Sequence, residues 1–254
     1  MSSNGFEGRS VVVTGAGSGI GRAAALRFAA EGANVLVADL NQETAHQTVT
    51  AVTTAGGVAR AVVGDLSEQA VVDEIVATAT SAYGGLDVLV NNAGIMDRMS
   101  ALADTEDAEW ERVIRVNLTA PFMLTRAALP HMLDRGRGAI VFTASEAALR
   151  GSAAGTAYTA AKHGIVGLTK SLAVMYRNNG IRANAIAPGA TSTNIRVDAE
   201  AGAHGPGVVG PHVALAGRVA DAEEQAAAIL FLASDAAGNI NGTVLPVDNG
   251  WSAI

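Results

Sequence analysis

The sequence predicts an α/β fold: one doubly wound, parallel, seven-stranded sheet with helices on both faces, forming a single domain over residues 1–254. Three observations carry this expectation. Short apolar, β-branched runs alternate with helical patterns along the whole chain. The composition is 49% apolar but only 4% aromatic, with 29 glycines, which suits a core of Ala, Val, Leu and Ile with helices packed closely on a sheet. No linker, repeat or low-complexity segment breaks the alternation.

Ser10–Thr14 is the first strand, and the loop Gly15-Ala-Gly17-Ser18-Gly19-Ile20-Gly21 follows it at once. A helical pattern from Arg22 to Glu31 then closes at Gly32, a favourable residue just past a helix end. Asn34–Ala38 is the second strand and ends at Asp39. Strand, glycine loop, helix, strand and acid in this order form a dinucleotide-binding unit. The glycines let the backbone approach a pyrophosphate, and the helix start offers it free N–H groups. Asp39 is placed to accept hydrogen bonds from ribose hydroxyls and to repel a 2′-phosphate. No Arg or Lys stands in the loop or directly after Asp39, so NAD(H) is expected and NADP(H) is less favoured.

The alternation continues with a helix over Asn41–Ala55, a strand over Val58–Val63 and a helix over Ser67–Tyr83, with Ser67 as its N-cap. Leu86–Val90 is a strand. A long helix is expected from Thr105 to Asp134, ended or kinked by Pro130. Strand Ala139–Thr143, helix Thr156–Asn179, strand Arg182–Ala187, helix Asp221–Ser234 and strand Thr243–Val247 complete the count.

In such sheets function gathers beyond the carboxyl ends of the strands. Asp65-Leu66, Asn91-Asn92-Ala93-Gly94, Ser145 and Pro188-Gly189 all fall there. Asp65 suits an adenine contact or a helix-terminus role, and Asn91 suits a bond between neighbouring loops. Asn117 interrupts a helical pattern with a side chain that competes for backbone hydrogen bonds, which points to a local irregularity near Lys162. Thirteen residues after Ser145 comes Tyr158, and Lys162 stands four further on, one turn along the same helical face. An ammonium there favours a phenolate, so Tyr158 is suited to acid/base chemistry, with Ser145 holding the reacting oxygen. Glu146 is expected to face solvent, the other reading being a contact to a polar substrate. Between residues 190 and 219 a stretch rich in glycine and proline reads as a long loop acting as a lid, with His204 and His212 as exposed loop residues.

The bulk numbers exclude several classes. A net charge of −7 argues against nucleic acid. No apolar run is long enough for a membrane span, no secretion signal is visible at the N-terminus, and there is no cysteine. No metal site is expected. A cytoplasmic location is. Charged residues reach only 16%, which hints at oligomer contacts.

Taken together, Thr14-Gly15-x-x-x-Gly19-x-Gly21, Asn91-Asn92-Ala93-Gly94, Asn117, Ser145, Tyr158-x-x-x-Lys162 and Pro188-Gly189-x-x-x-Thr193 resemble a single-domain short-chain dehydrogenase/reductase, over essentially the whole chain from Arg9. The resemblance implies a Rossmann-type fold, with the cofactor-binding part over residues 9–150. It implies Tyr158 as acid/base, Lys162 lowering its pKa and holding the nicotinamide ribose, Ser145 orienting substrate, and Asn117 anchoring a water relay. The implied cofactor contacts are Gly15, Ser18, Gly19, Ile20, Gly21, Asp39, Asp65, Leu66, Asn91, Ala93, Gly94, Tyr158, Lys162, Pro188, Gly189, Thr191 and Thr193. A homotetramer is implied as well. The expected activity is NAD(H)-dependent interconversion of a small secondary alcohol and a ketone. A 3-oxoacyl-thioester reductase, an isomerase or dehydratase on the same scaffold, and a non-catalytic NAD(H)-binding regulator are the alternatives.

Overall fold

A strand covered on both faces needs apolar side chains at every position, because successive residues point to opposite layers. Ser10–Thr14 (β1) meets that demand: Val11 and Val13 enter one core layer and Val12 the other. The computed structural model, which describes residues 5–200 and 202–253, builds six further strands on the same logic. These are Asn34–Asp39 (β2), Val58–Val63 (β3), Val88–Asn91 (β4), Gly138–Thr143 (β5), Ile181–Pro188 (β6) and Val244–Val247 (β7). All pair in parallel, in the order β3-β2-β1-β4-β5-β6-β7.

Gly19–Ala30 (α1), Gln42–Thr54 (α2) and Ala222–Ala233 (α8) supply one layer, with Phe28, Ala45 and Ile229 fully buried in it. Phe6 meets Phe28 edge-to-face at 4.9 Å there. Gln69–Tyr83 (α3), Ala120–Asp134 (α5) and Thr156–Met175 (α6) supply the other, through Ile75, Leu124, Met132 and Ile165. The strand order reverses between β1 and its neighbours β2 and β4. A crevice therefore opens outside the carboxyl ends of these strands.

Some local expectations are corrected. Helix α1 starts at Gly19 rather than Arg22, so the last glycines of the loop lie within its first turn. Helix α3 starts at Gln69, not Ser67; Glu68 is the N-cap, and the Ser67 N–H is taken by the Asp65 carboxylate at 2.8 Å. The helix expected over Thr105–Asp134 is Asp107–Ile114 (α4) followed by a π-turn, Arg115–Thr119, and then α5. Pro130 neither ends nor splits α5, which continues through it to Asp134. The segment expected as a structureless lid contains a helix, His204–Val213 (α7). Pro206 sits in its first turn, where a missing N–H costs nothing, and Gly217 (φ 71°) ends the short 3₁₀ turn that follows. His204 and His212 are exposed on it.

Candidate active site

The glycine loop is shaped by what surrounds it. Gly15 has φ 62°, and a β-carbon there would lie 2.9 Å from the Ala93 Cα. A β-carbon on Gly21 would overlap the Gly15 carbonyl oxygen. Thr14 joins this loop to the end of β4, its Oγ1 accepting from Asn92 N–H (2.9 Å) and Ala93 N–H (3.0 Å). Asn92 donates to the Thr14 carbonyl and accepts from Thr143 Oγ1, so one amide ties together the ends of β1, β4 and β5. Asp39 closes the arrangement by accepting from Gly17 N–H at 2.8 Å and Asn41 N–H at 2.9 Å. The tight glycine cradle beside the start of α1, with a carboxylate at the end of β2, fits a nicotinamide dinucleotide.

A cavity of about 630 Å³ runs from this cradle across the sheet ends. Gly15, Ser18, Gly19, Ile20, Asp39, Asp65, Leu66, Ala93 and Gly94 line one half, and Ser145, Tyr158, Lys162, Pro188, Gly189, Thr191 and Thr193 line the other. Three residues singled out in the sequence lie behind the walls. Gly21 packs under Gly15. Asn91 is buried and donates to Thr125 Oγ1 at 3.0 Å. Asn117 accepts from Ile95 N–H (3.2 Å) and donates to the Ile95 and Val113 carbonyls (2.9 and 3.0 Å). Its oxygen and Lys162 Nζ both flank Gly94.

Tyr158 lies on the first turn of α6, buried against Val113 and Ala161. Lys162 Nζ donates to the Thr143 carbonyl at 2.8 Å and sits 5.3 Å from the Tyr158 ring centroid. Burial pushes the phenol up to about 12; a hydrogen bond with Ser145 opposes this, and the Asp97 carboxylate reinforces it. Burial pushes Lys162 down to about 8. The net direction at Tyr158 is thus opposite to that expected from an adjacent ammonium alone, because desolvation outweighs the Ser145 hydrogen bond. Ser145 Oγ accepts from Ala147 N–H at 3.1 Å.

Glu146, expected in solvent, is only 1% exposed. It is ion-paired with Arg150, which lies over the Trp251 ring and donates to the Trp251 carbonyl. The Glu146 Oε2 meets no donor, and the Asp248 carboxyl is near enough to bond with Glu146 only when one of the two carries a proton. Burial raises the Glu146 pKa; Arg150 opposes the rise and Asp248 adds to it. Hydrogen bonds from Ser252 and Gly250 overcome burial and hold Asp248 low. The spacing of Glu146 and Arg150 offered a sequence signal for this pair. Asp97 and Trp251 also shape the site through partners distant in sequence, as do Thr14 and Asn92 of the quoted motifs.

Apolar residues make up much of the remaining wall (Ile95, Met96, Met99, Ile195, Val197, Val213, Val219 and Trp251), with Ser67, Asn92, Thr143, Glu146 and Asn194 as its polar members. No group of three or more His, Asp or Glu among the described residues could hold a metal ion. The profile of the short chain dehydrogenase family matches residues 9–203. The chain belongs to that family. It is 42% identical to 3beta-hydroxysteroid dehydrogenase 2 of Eggerthella lenta over 252 residues, covering 97% of this chain and 95% of the relative. It is 40% identical to cis-4-hydroxycyclohexanecarboxylate dehydrogenase of Sinomonas cyclohexanicum, over 98% of both chains. Among solved structures, a provisionally assigned NAD(P)-dependent gluconate 5-dehydrogenase from Beutenbergia cavernae, with NADP bound at low occupancy, superposes with a TM-score of 0.87 at 38% identity over 100% of both chains. This short-chain dehydrogenase is therefore an oxidoreductase whose named relatives act on alcohol or ketone groups.

Proposed function

We propose that this chain interconverts an apolar cyclic secondary alcohol and its ketone with NAD(H). The observation that carries the reading is the convergence of Ser145, Tyr158 and Lys162 in one cavity with the glycine cradle and a mainly apolar wall. A bound nicotinamide would supply the hydride acceptor or donor. Gly15, Gly19 and the start of α1 would hold its pyrophosphate, Asp39 its adenosine ribose, and Thr193 its carboxamide.

Tyr158 gives its proton to the ketone oxygen in reduction and takes the alcohol proton in oxidation. With the phenol raised to about 12, the donor form dominates at neutral pH, and alcohol oxidation quickens as pH rises. Lys162, anchored on Thr143, steadies the phenolate when it forms. Ser145 holds the substrate oxygen beside Tyr158. Asn117, held on Ile95 and Val113, flanks Gly94 together with Lys162 and would anchor the water relay. Apolar residues round the substrate end support a ring over a sugar, in line with the ring alcohols in the names of two relatives, a 3beta-hydroxysteroid and cis-4-hydroxycyclohexanecarboxylate. The Asp39 carboxylate supports NAD(H) over NADP(H).

The reading includes a cytoplasmic homotetramer. Phe122 on α5 and Val174 and Met175 on α6 are exposed apolar residues suited to subunit contacts, and no helix among the described residues is long and apolar enough to cross a membrane. The test is the appearance of reduced nicotinamide from cyclic alcohols, hydroxysteroids and sugars, with NAD and NADP side by side and Tyr158→Phe as control. Turnover of cyclic alcohols with NAD that vanishes in the variant is expected. Turnover confined to sugars, or to NADP, overturns the corresponding part.

A further inference from the structure

Helix α6 carries Tyr158 within its first turn, where backbone N–H groups have no partner inside the helix. The N-cap is Gly155, which has no side chain to accept from them. The acceptors come instead from the loop after β4. Asp97 Oδ2 accepts from the Tyr158 N–H at 2.9 Å, its Oδ1 accepts from the Gly155 N–H at 3.2 Å, and the Ser100 carbonyl accepts from the Thr156 N–H at 3.0 Å.

The glycine follows from this arrangement: a β-carbon at position 155 would lie 2.6 Å from Asp97 Oδ2 and 2.7 Å from the Met99 Cα. Asp97 is 2% exposed, so its carboxylate is fixed. The loop is itself braced from α4 by Glu109, which accepts from the Arg98 N–H at 2.7 Å and from Ser100 Oγ at 2.8 Å. Met99 adopts the left-handed region (φ 58°) and donates its N–H to Asp97 Oδ1 at 3.0 Å. A rigid path thus runs from α4 through residues 97–100 to the backbone nitrogen of Tyr158.

We propose that Asp97 is a positioning residue for the reaction: its carboxylate fixes the backbone of Tyr158 at the start of α6 and sets the electrostatic field in which the phenol gives up its proton. This rests on the reading of Tyr158 as the acid/base. The charged groups facing the phenol are Lys162 from its own helix and Asp97 from the loop after β4; the turn after β5 presents the uncharged Ser145 hydroxyl, while Glu146 is engaged by Arg150 and Asp248. A carboxylate that served only to stabilise the helix would leave the ionisation of Tyr158 where it was.

The test compares wild type with Asp97→Asn and Asp97→Ala by two readouts. The first is ultraviolet titration of the Tyr158 phenolate, isolated by subtracting the titration of the matching Tyr158→Phe protein, and it needs no turnover. The midpoint is expected at lower pH in Asp97→Asn, which keeps one acceptor oxygen but loses the charge. The second is the pH profile of kcat for alcohol oxidation. Its ascending limb is expected to move the same way in Asp97→Asn, while kcat in Asp97→Ala falls between about tenfold and a hundredfold with cofactor KM unchanged, the scale of a misplaced catalytic group. An unmoved phenolate midpoint in Asp97→Asn overturns the proposal. A wild-type protein that titrates as expected but turns over no alcohol refutes the acid/base reading instead.

Discussion

Replacing Asn117 by alanine would remove a side chain whose hydrogen bonds tie the π-turn to the loop after β4. Asn117 is 1% exposed and serves three backbone groups: the N–H and carbonyl of Ile95 and the carbonyl of Val113. Deleting it leaves those three backbone groups without this partner. At about 1 kcal/mol for each stranded group, the loss comes to about 3 kcal/mol. For a domain of this size that corresponds to a fall in Tm of about 6–12 °C. The measurement is thermal unfolding by circular dichroism at matched protein concentration, so that any subunit equilibrium is held constant. Asn117→Asp keeps the acceptor for Ile95 N–H but turns an ionised oxygen toward two carbonyls, so it is expected to melt no higher than the alanine variant at neutral pH. A Tm within about 2 °C of wild type in Asn117→Ala would refute the reasoning, because those groups would then have found other partners.

Lys162→Met tests the cost of the reactive group itself. Its folded pKa is depressed to about 8 from 10.5, so between those values the unfolded chain binds more protons and wild-type stability rises with pH. At neutral pH the buried ammonium costs on the order of 3 kcal/mol, so the variant is expected to melt higher than wild type at pH 7 while losing turnover; a lower Tm contradicts this. Gly21→Ala drives a methyl group into the Gly15 carbonyl and should weaken NADH binding about a hundredfold by calorimetry, with the circular dichroism spectrum unchanged. Asp39→Ala should lower the ratio of kcat/KM for NAD over NADP by about tenfold or more, since a like charge no longer opposes the 2′-phosphate; an unchanged ratio removes Asp39 as the determinant.

Much of this was legible in the chain because the signals were local. Each strand announced itself by a short apolar run, and the Asp39 that closes β2 stood where the spacing required. Tyr158 and Lys162 share a helical face by spacing alone. The start of α3 lies later than Ser67, a good cap residue, because Glu68 takes the N-cap place while the Ser67 N–H is held by the Asp65 carboxylate. The helix in the lid was hidden by glycines and prolines whose intrinsic preference is against helix, an obstacle that packing overrides, as where Gly205 rests directly on the Met99 carbonyl. Glu146 was misplaced because a charged residue is exposed by default. Only the folded chain brings Trp251 and Asp248 beside it. Nothing local tied Asp97 to the start of α6, since its partners at Gly155 and Tyr158 are 58 and 61 residues away.

The meeting of Asp97 with Gly155 has a consequence for how this chain can change by mutation. A side chain able to cap α6 from position 155 needs the space that the Asp97 carboxylate fills. A serine arriving at 155 first meets a clash; a small residue arriving at 97 first leaves the helix start without acceptors. Either single step is costly, and the Met99 backbone, 2.7 Å from a β-carbon at 155, keeps part of the clash even when the Asp97 carboxylate is gone. Only the Asp97 share of that clash can be relieved by a paired change, and a double-mutant cycle on Asp97→Ala and Gly155→Ser would measure it as a coupling energy.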